Sequence, residues 1–206
     1  VLAGPGTHPF QDSDERRDEV ARDIVAASHL RGRFVLSSGQ ASDFYFDKYL
    51  FSTKPTVLRR LASLMAARIP PHVDRVAGAE LGAVPIAAAL SLETGLPFVV
   101  VRKNPKPHGT RTTVEGELHQ AERVLLVEDV VTTGAQALRA AGTLADLGAD
   151  VVRVLAVVDR EQGGGKTVAA AGLSFDALFR LSELPIPAHP FDSTRLEHVD
   201  DNSSRT

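Results

Sequence analysis

Four short, largely apolar runs constrain this chain more than any other feature: Arg75–Ala79, Phe98–Val101, Val124–Val127 and Val151–Val158. They are rich in Val and Leu and show no alternation of polar and apolar residues, the pattern of strands buried on both faces. Pro85–Thr94 and Ala135–Leu147 lie between them, rich in Ala and Leu at helical spacing. Val57–Ile69 precedes them as an amphipathic helix, with Leu58, Leu61, Leu64, Met65 and Arg68 at that spacing. Buried strands separated by helices imply right-handed crossovers and a parallel sheet. The expected fold is therefore α/β, a doubly wound and mostly parallel sheet. A helical period over Asp18–His29 and two short strands, Arg33–Leu36 and Phe44–Asp47, add a small N-terminal unit at about residues 30–50. In this architecture ligands bind beyond the carboxyl ends of the strands.

At 206 residues the chain reads as one domain over 18–185. Residues 1–17, with Gly4, Pro5, Gly6, Pro9 and a DSDERR cluster, read as a loose arm, and 186–206 as a surface tail. The net charge of −3 supplies no global field toward nucleic acid or an anionic membrane. The absence of cysteine removes thiol nucleophiles and thiolate metal sites. No apolar run has membrane-span length and no basic-then-apolar signal pattern opens the chain, so the expected setting is cytoplasmic.

The stretch VLLVEDVVTTGA, residues 124–135, then stands out. Glu128 and Asp129 fall at the end of a buried run, where carboxylates can accept hydrogen bonds from vicinal sugar hydroxyls. Thr132, Thr133 and Gly134 lead into the helix near Ala135, offering free backbone N–H groups and a positive dipole end to a phosphate. The two together describe a ribose-phosphate cradle. An ordinary strand-to-helix connection with Thr133 as N-cap is the plain alternative. A rival site is REQGGGKT, residues 160–167, which imitates a nucleoside-triphosphate loop. That pattern wants glycine where this chain has Arg160, whose side chain would crowd the turn. The segment 101–113, VRKNPKPHGTRTT, carries Arg102, Lys103, Lys106, His108 and Arg111 without an acid, and its prolines and Gly109 keep it irregular. A basic loop after a buried strand suits a polyanion such as diphosphate.

These residues resemble the type I phosphoribosyltransferases and, within them, the orotate enzymes. VLLVEDVVTTGA is similar to their phosphoribosyl-diphosphate signature, and RKNPKPHGT to the catalytic loop of the orotate branch. FVLSSGQASDFYFD, residues 34–47, resembles the hood that holds the base, and VVDREQGG, residues 157–164, the segment supplying a base-binding arginine. The resemblance runs in order from about residue 18 to 185. It implies transfer of the phosphoribosyl group to orotate with release of diphosphate. Lys103, Lys106 and Asp129 would then be catalytic. Arg102, His108, Glu80, Leu81, Glu128, Val130, Val131, Thr132, Thr133, Gly134, Ala135 and Gln136 would join them in binding phosphoribosyl diphosphate. Ser37, Tyr45, Phe46, Thr132 and Arg160 would meet the base. It also implies Mg²⁺ held mainly by substrate and water, and a homodimer that shares the basic loop across subunits.

Two positions depart from the family's pattern. Ser37 stands where lysine commonly precedes the hood's Ser-Gly, and Glu80-Leu81 stand where Tyr-Lys often precede the glycine, here Gly82. Lys48, just after the hood, is the candidate to compensate for one. The same chemistry on another base is thus an open alternative. A non-catalytic nucleotide sensor of the same fold is another, opposed by the intact basic loop.

Overall fold

The computed structural model describes residues 14–35, 41–104 and 113–186, with the backbone alone described over 29–35 and 41–46. Helix α1 (Asp14–Ser28) leads into a hairpin of β1 (His29–Val35) and β2 (Ala41–Phe46), then α2 (Lys48–Thr53) and α3 (Pro55–Ala66). The main sheet follows: β3 (Arg75–Ala79), α4 (Ala83–Thr94), β4 (Phe98–Val101), β5 (Val114–Glu115), β6 (Arg123–Val131), α5 (Ala135–Asp146), β7 (Asp150–Asp159), α6 (Gly164–Ala170) and β8 (Phe175–Arg180).

The six main strands run in the order β5-β4-β3-β6-β7-β8. Only the β4–β5 edge pair is antiparallel; the other neighbours are parallel, with Gly78 opposite Val100 and Val127. The chain leaves β3 toward β4 on one side and returns to place β6 on the other. This reversal opens a crevice between the carboxyl ends of β3 and β6, where a ligand is admitted in such sheets.

The helices cover both faces. Leu125 and Val127 of β6 pack into one core cluster with Ile24 of α1, Leu61 and Met65 of α3 and Ile86 of α4. Val124 and Leu126 point the other way, toward Ala137, Ala141 and Leu144 of α5 and Val168 of α6. All four β6 residues are fully buried, which explains why the run lacks polar alternation. None of the described helices is long and apolar enough to cross a membrane.

Three expectations are corrected. Residues 14–17, read as part of a loose arm, form the first turn of α1, with Asp14 and Glu15 favourably placed at its positive end. Arg17 docks this turn onto β8: its guanidinium donates to Leu178 O at 3.1 and 2.8 Å and to Glu183 at 2.6 Å, and lies over the Phe179 ring at 5.3 Å. Secondly, β6 does not stop at Val127 but continues to Val131, so both acids lie inside a core strand. Thirdly, the second hood strand, expected over Phe44–Asp47, spans Ala41–Phe46 instead; α2, β5, α6 and β8 carry too little periodicity to be read, α6 because three glycines precede its lysine. Asp47 caps α2 by accepting from Tyr49 N–H at 2.9 Å.

Candidate active site

Strand geometry separates the two acids. Successive side chains alternate across a sheet, so Asp129 continues the Leu125–Val127 face and Glu128 the Val124–Leu126 face. Both are 1% exposed. Two residues beyond the Gly78–Val127 pair, the turn after β3 meets Asp129. A Cβ on Gly82 would fall inside the Asp129 carboxylate, so only glycine lets the turn lie this close. The Glu80–Leu81 peptide in that turn is cis, and the Leu81 side chain is 64% exposed.

Asp129 is held from two sides. Its Oδ1 accepts from the Val130 N–H at 2.7 Å, and its Oδ2 lies 3.0 Å from Lys48 Nζ. Burial works against the Lys48 ammonium, but pairing with Asp129, helped by Tyr49 and Glu128, outweighs it and raises its pKa above the usual lysine range. Glu128 accepts from Gln136 Nε2 at 3.2 Å through Oε2, while Oε1 has no hydrogen-bond partner among the described residues. Burial and the neighbouring Asp129 push its pKa up to about 8, against the opposing pull of Lys48, Gln136 and Arg139.

Beyond β6, Thr132 and Thr133 lead to Gly134, the N-cap of α5, at φ 82°. The reading of Thr133 as cap is therefore overturned: a glycine occupies the position and no side chain caps the helix. The amides of its first turn are left for an outside anion. The glycine-rich segment explains itself here. A Cβ on Gly164 would sit 2.6 Å from Thr132 O and closer still to Val131 Cγ1, and one on Gly134 would sit 2.8 Å from Gly164 O. The glycines let α6 press against the turn that follows β6. Arg160 is exposed beside the same turn, its N–H bonded to Val131 O at 2.9 Å.

Arg102 and Lys103 follow β4 to the crevice. The Lys103 N–H donates to Glu80 Oε2 at 3.3 Å, and the Arg102 guanidinium lies 4.0 Å from Glu80 and 3.7 Å from Glu115. The structure thus brings Glu80, Leu81, Arg102, Lys103, Glu128, Asp129, the 130–136 turn and Arg160 to one edge of the sheet. Tyr45 and Phe46 lie on β2 of the hood hairpin. Ser37, Lys106, His108 and the 187–206 tail fall outside the described residues. Sequence reasoning missed Gly82 and Gly164, single glycines whose need appears only when the chains approach.

The magnesium expectation bears on the donor set. Among the described residues no three His, Asp or Glu side chains cluster to cage a metal.

Comparisons with known proteins agree with this geometry. The model of the phosphoribosyl transferase domain matches residues 54–171. The orotate phosphoribosyltransferase of Thermococcus kodakarensis is 51% identical over 175 residues, 84% of this chain and 94% of the relative. That of Halobacterium salinarum is 44% identical, over 81% of this chain and 95% of the relative. The crystal structure of Mycobacterium tuberculosis orotate phosphoribosyltransferase with 5-phospho-α-D-ribosyl 1-diphosphate superposes with a TM-score of 0.70 at 33% identity, covering 82% of this chain and 98% of that one. With its family model, its relatives and its sheet in agreement, the chain belongs to the phosphoribosyltransferases, on their orotate branch.

Proposed function

We propose that this protein transfers the 5-phosphoribosyl group from 5-phosphoribosyl 1-diphosphate to orotate, giving orotidine 5'-monophosphate and diphosphate. The observation that carries the reading is the buried acid pair on β6 leading within five residues into a helix with no side-chain cap.

The bond from ribose C1 to diphosphate breaks as a base nitrogen approaches. Positive charge gathers on the sugar and negative charge on the leaving group. Asp129 would accept from the ribose hydroxyls and face the developing cation. Glu128, beside it on the strand and with one carboxylate oxygen unpartnered among the described residues, would join Asp129 in holding the ribose hydroxyls. Such groups act by preorganised electrostatics, without covalent chemistry. The amides after Thr132, Thr133 and Gly134 would hold the 5-phosphate. Arg102, Lys103, Lys106 and His108 would meet the diphosphate, whose magnesium, bound by substrate oxygens and water, would neutralise leaving-group charge. Arg160 and the hood backbone at Tyr45 and Phe46 would receive the orotate carboxylate.

The direct test is consumption of orotate that depends on phosphoribosyl diphosphate, run beside uncharged bases. Turnover of an uncharged base with none of orotate would leave only the phosphoribosyl half of the reading. We further place the enzyme in the cytoplasm as a homodimer whose basic loop serves the neighbouring subunit. Mixing a Lys106→Ala loop variant with an Asp129→Asn variant should then restore part of the activity. Mixed dimers without recovery would mean that each subunit closes its own site.

A further inference from the structure

Lys48 occupies the first turn of the short helix α2, where a cation opposes the positive end of the helix dipole. No acid in α2 pairs with it there, although its Nζ lies 5.3 Å from the Tyr49 ring. Its partner is instead across the fold on β6, the Asp129 carboxylate 3.0 Å away. That carboxylate is 1% exposed and its Oδ2 has no hydrogen bond to another described residue. The other oxygen, Oδ1, is fixed by the Val130 N–H. Gly82 closes the third side and leaves no room for the carboxylate to swing toward β3. One backbone amide, one ammonium and one glycine wall therefore define a single orientation for Asp129. Of these only the ammonium comes from a side chain, and it arrives from the element directly following the hood hairpin.

We propose that Lys48 is a positioning residue of the phosphoribosyl site: through its ion pair it fixes the Asp129 carboxylate in the orientation that receives the ribose hydroxyls. The inference rests on the reading of Asp129 given above, and it deepens that reading by making the hood side of the molecule part of the sugar site. Because Lys48 acts through Asp129, its effect disappears when Asp129 cannot form the pair.

The experiment is a double-mutant cycle on binding of phosphoribosyl diphosphate with Mg²⁺, measured by calorimetry in the wild type, Lys48→Met, Asp129→Asn and the double variant. Lys48→Met weakens binding about tenfold in the wild-type background, the scale of one charged hydrogen bond, and adds no further loss in the Asp129→Asn background. Lys48→Arg, which keeps the cation, recovers most of the affinity, and this separates positioning from a mere loss of packing. Unchanged affinity in Lys48→Met overturns the proposal. So does an equal loss in both backgrounds, which would mean that Lys48 touches the substrate itself. A wild-type protein that fails to bind phosphoribosyl diphosphate overturns the functional reading and this inference with it.

Discussion

Two acids of opposite character bracket the core of β6, Glu122 immediately before the strand and Glu128 near its carboxyl end. At the amino end Glu122 receives Arg75 Nε and Nη2 at 2.7 Å each, and the His119 N–H at 3.0 Å. Its pKa falls to about 2, chiefly through the Arg75 hydrogen bond working against burial. Near the carboxyl end Glu128 keeps one oxygen without a hydrogen-bond partner among the described residues, and its pKa rises to about 8. The residue type is the same and the distance along one strand is short. What differs is satisfaction: the Glu122 carboxylate is saturated by a forked guanidinium, whereas the Glu128 end keeps acceptors in reserve. A saturated, partly buried charge pins structure, here the β3–β6 pairing, since Arg75 opens β3. An unsaturated one deep in the core is a cost that a proton or a ligand must offset.

The largest effect should come from the open end. Asp129→Asn keeps the volume but removes the charge proposed to face the sugar, so turnover should drop roughly 100- to 1,000-fold. Circular dichroism should show an intact fold. Initial rates at saturating phosphoribosyl diphosphate measure it, and an unchanged rate would remove Asp129 from the chemistry.

Glu122→Ala should do the reverse. It strands Arg75 in the interior and should cost about 3 kcal/mol of stability by urea unfolding, with turnover per folded molecule unchanged. The pH sign follows from the lowered pKa. The pair's contribution is fully present above the unfolded value of 4.5 and is lost as pH falls toward about 2. A loss of activity in folded Glu122→Ala would break the division between the two ends.

Glu128 should show the opposite pH dependence. Its folded pKa lies above the unfolded 4.5, so stability from its neutral form is complete below 4.5 and declines as pH rises through about 8. Glu128→Gln cannot charge and should flatten that decline, leaving the variant more stable than the wild type at pH 9. At about 1.4 kcal/mol per unit the gain is a few kcal/mol at most. Unfolding curves at pH 5 and pH 9 decide it, and a wild type equally stable at both would show that Glu128 is better solvated than its burial indicates.

Legibility in the sequence followed the same division. The open end was readable because acids after VLLV contradict a buried strand, and a contradiction of that kind marks a site. Its strand bounds were still misjudged, since the strand absorbs both acids in place of ending before them. The closed end left no trace: Arg75 and Glu122 are 47 residues apart, and neither is unusual beside its neighbours. The longer helices and the central strands were legible from periodicity. By contrast, the first turn of α1 is docked by Arg17 reaching residue 178, a contact no local window contains. Lys48 was singled out as the candidate to compensate for a missing lysine, but its partner Asp129 was visible only in three dimensions.

A smaller effect should follow from Gly164→Ala. The added methyl meets Thr132 O at 2.6 Å and must push α6 away from the phosphate turn. Overpacking of this sort costs about 1–3 kcal/mol, and the displaced turn should raise KM for phosphoribosyl diphosphate more than it lowers kcat. An unaltered KM would mean that α6 supports the fold alone.

The smallest effect should come from an ion pair belonging to neither end. Arg60 of α3 pairs with Asp23 of α1, with side chains 51% and 37% exposed. Water and salt screen both partners, and holding two exposed side chains together costs them rotamer freedom. Exposed pairs of this kind contribute about 0–1 kcal/mol. Asp23→Asn should therefore shift the urea midpoint little, and raising the salt concentration should erase even that shift. The α1–α3 contact is kept by apolar burial, with Ile24 and Leu61 fully enclosed between the helices and the sheet. If Asp23→Asn proved as costly as Glu122→Ala, exposure would not be what separates structural from idle charge in this molecule. The contrast between the two ends of β6 would then need a different cause from hydrogen-bond satisfaction in a dry interior.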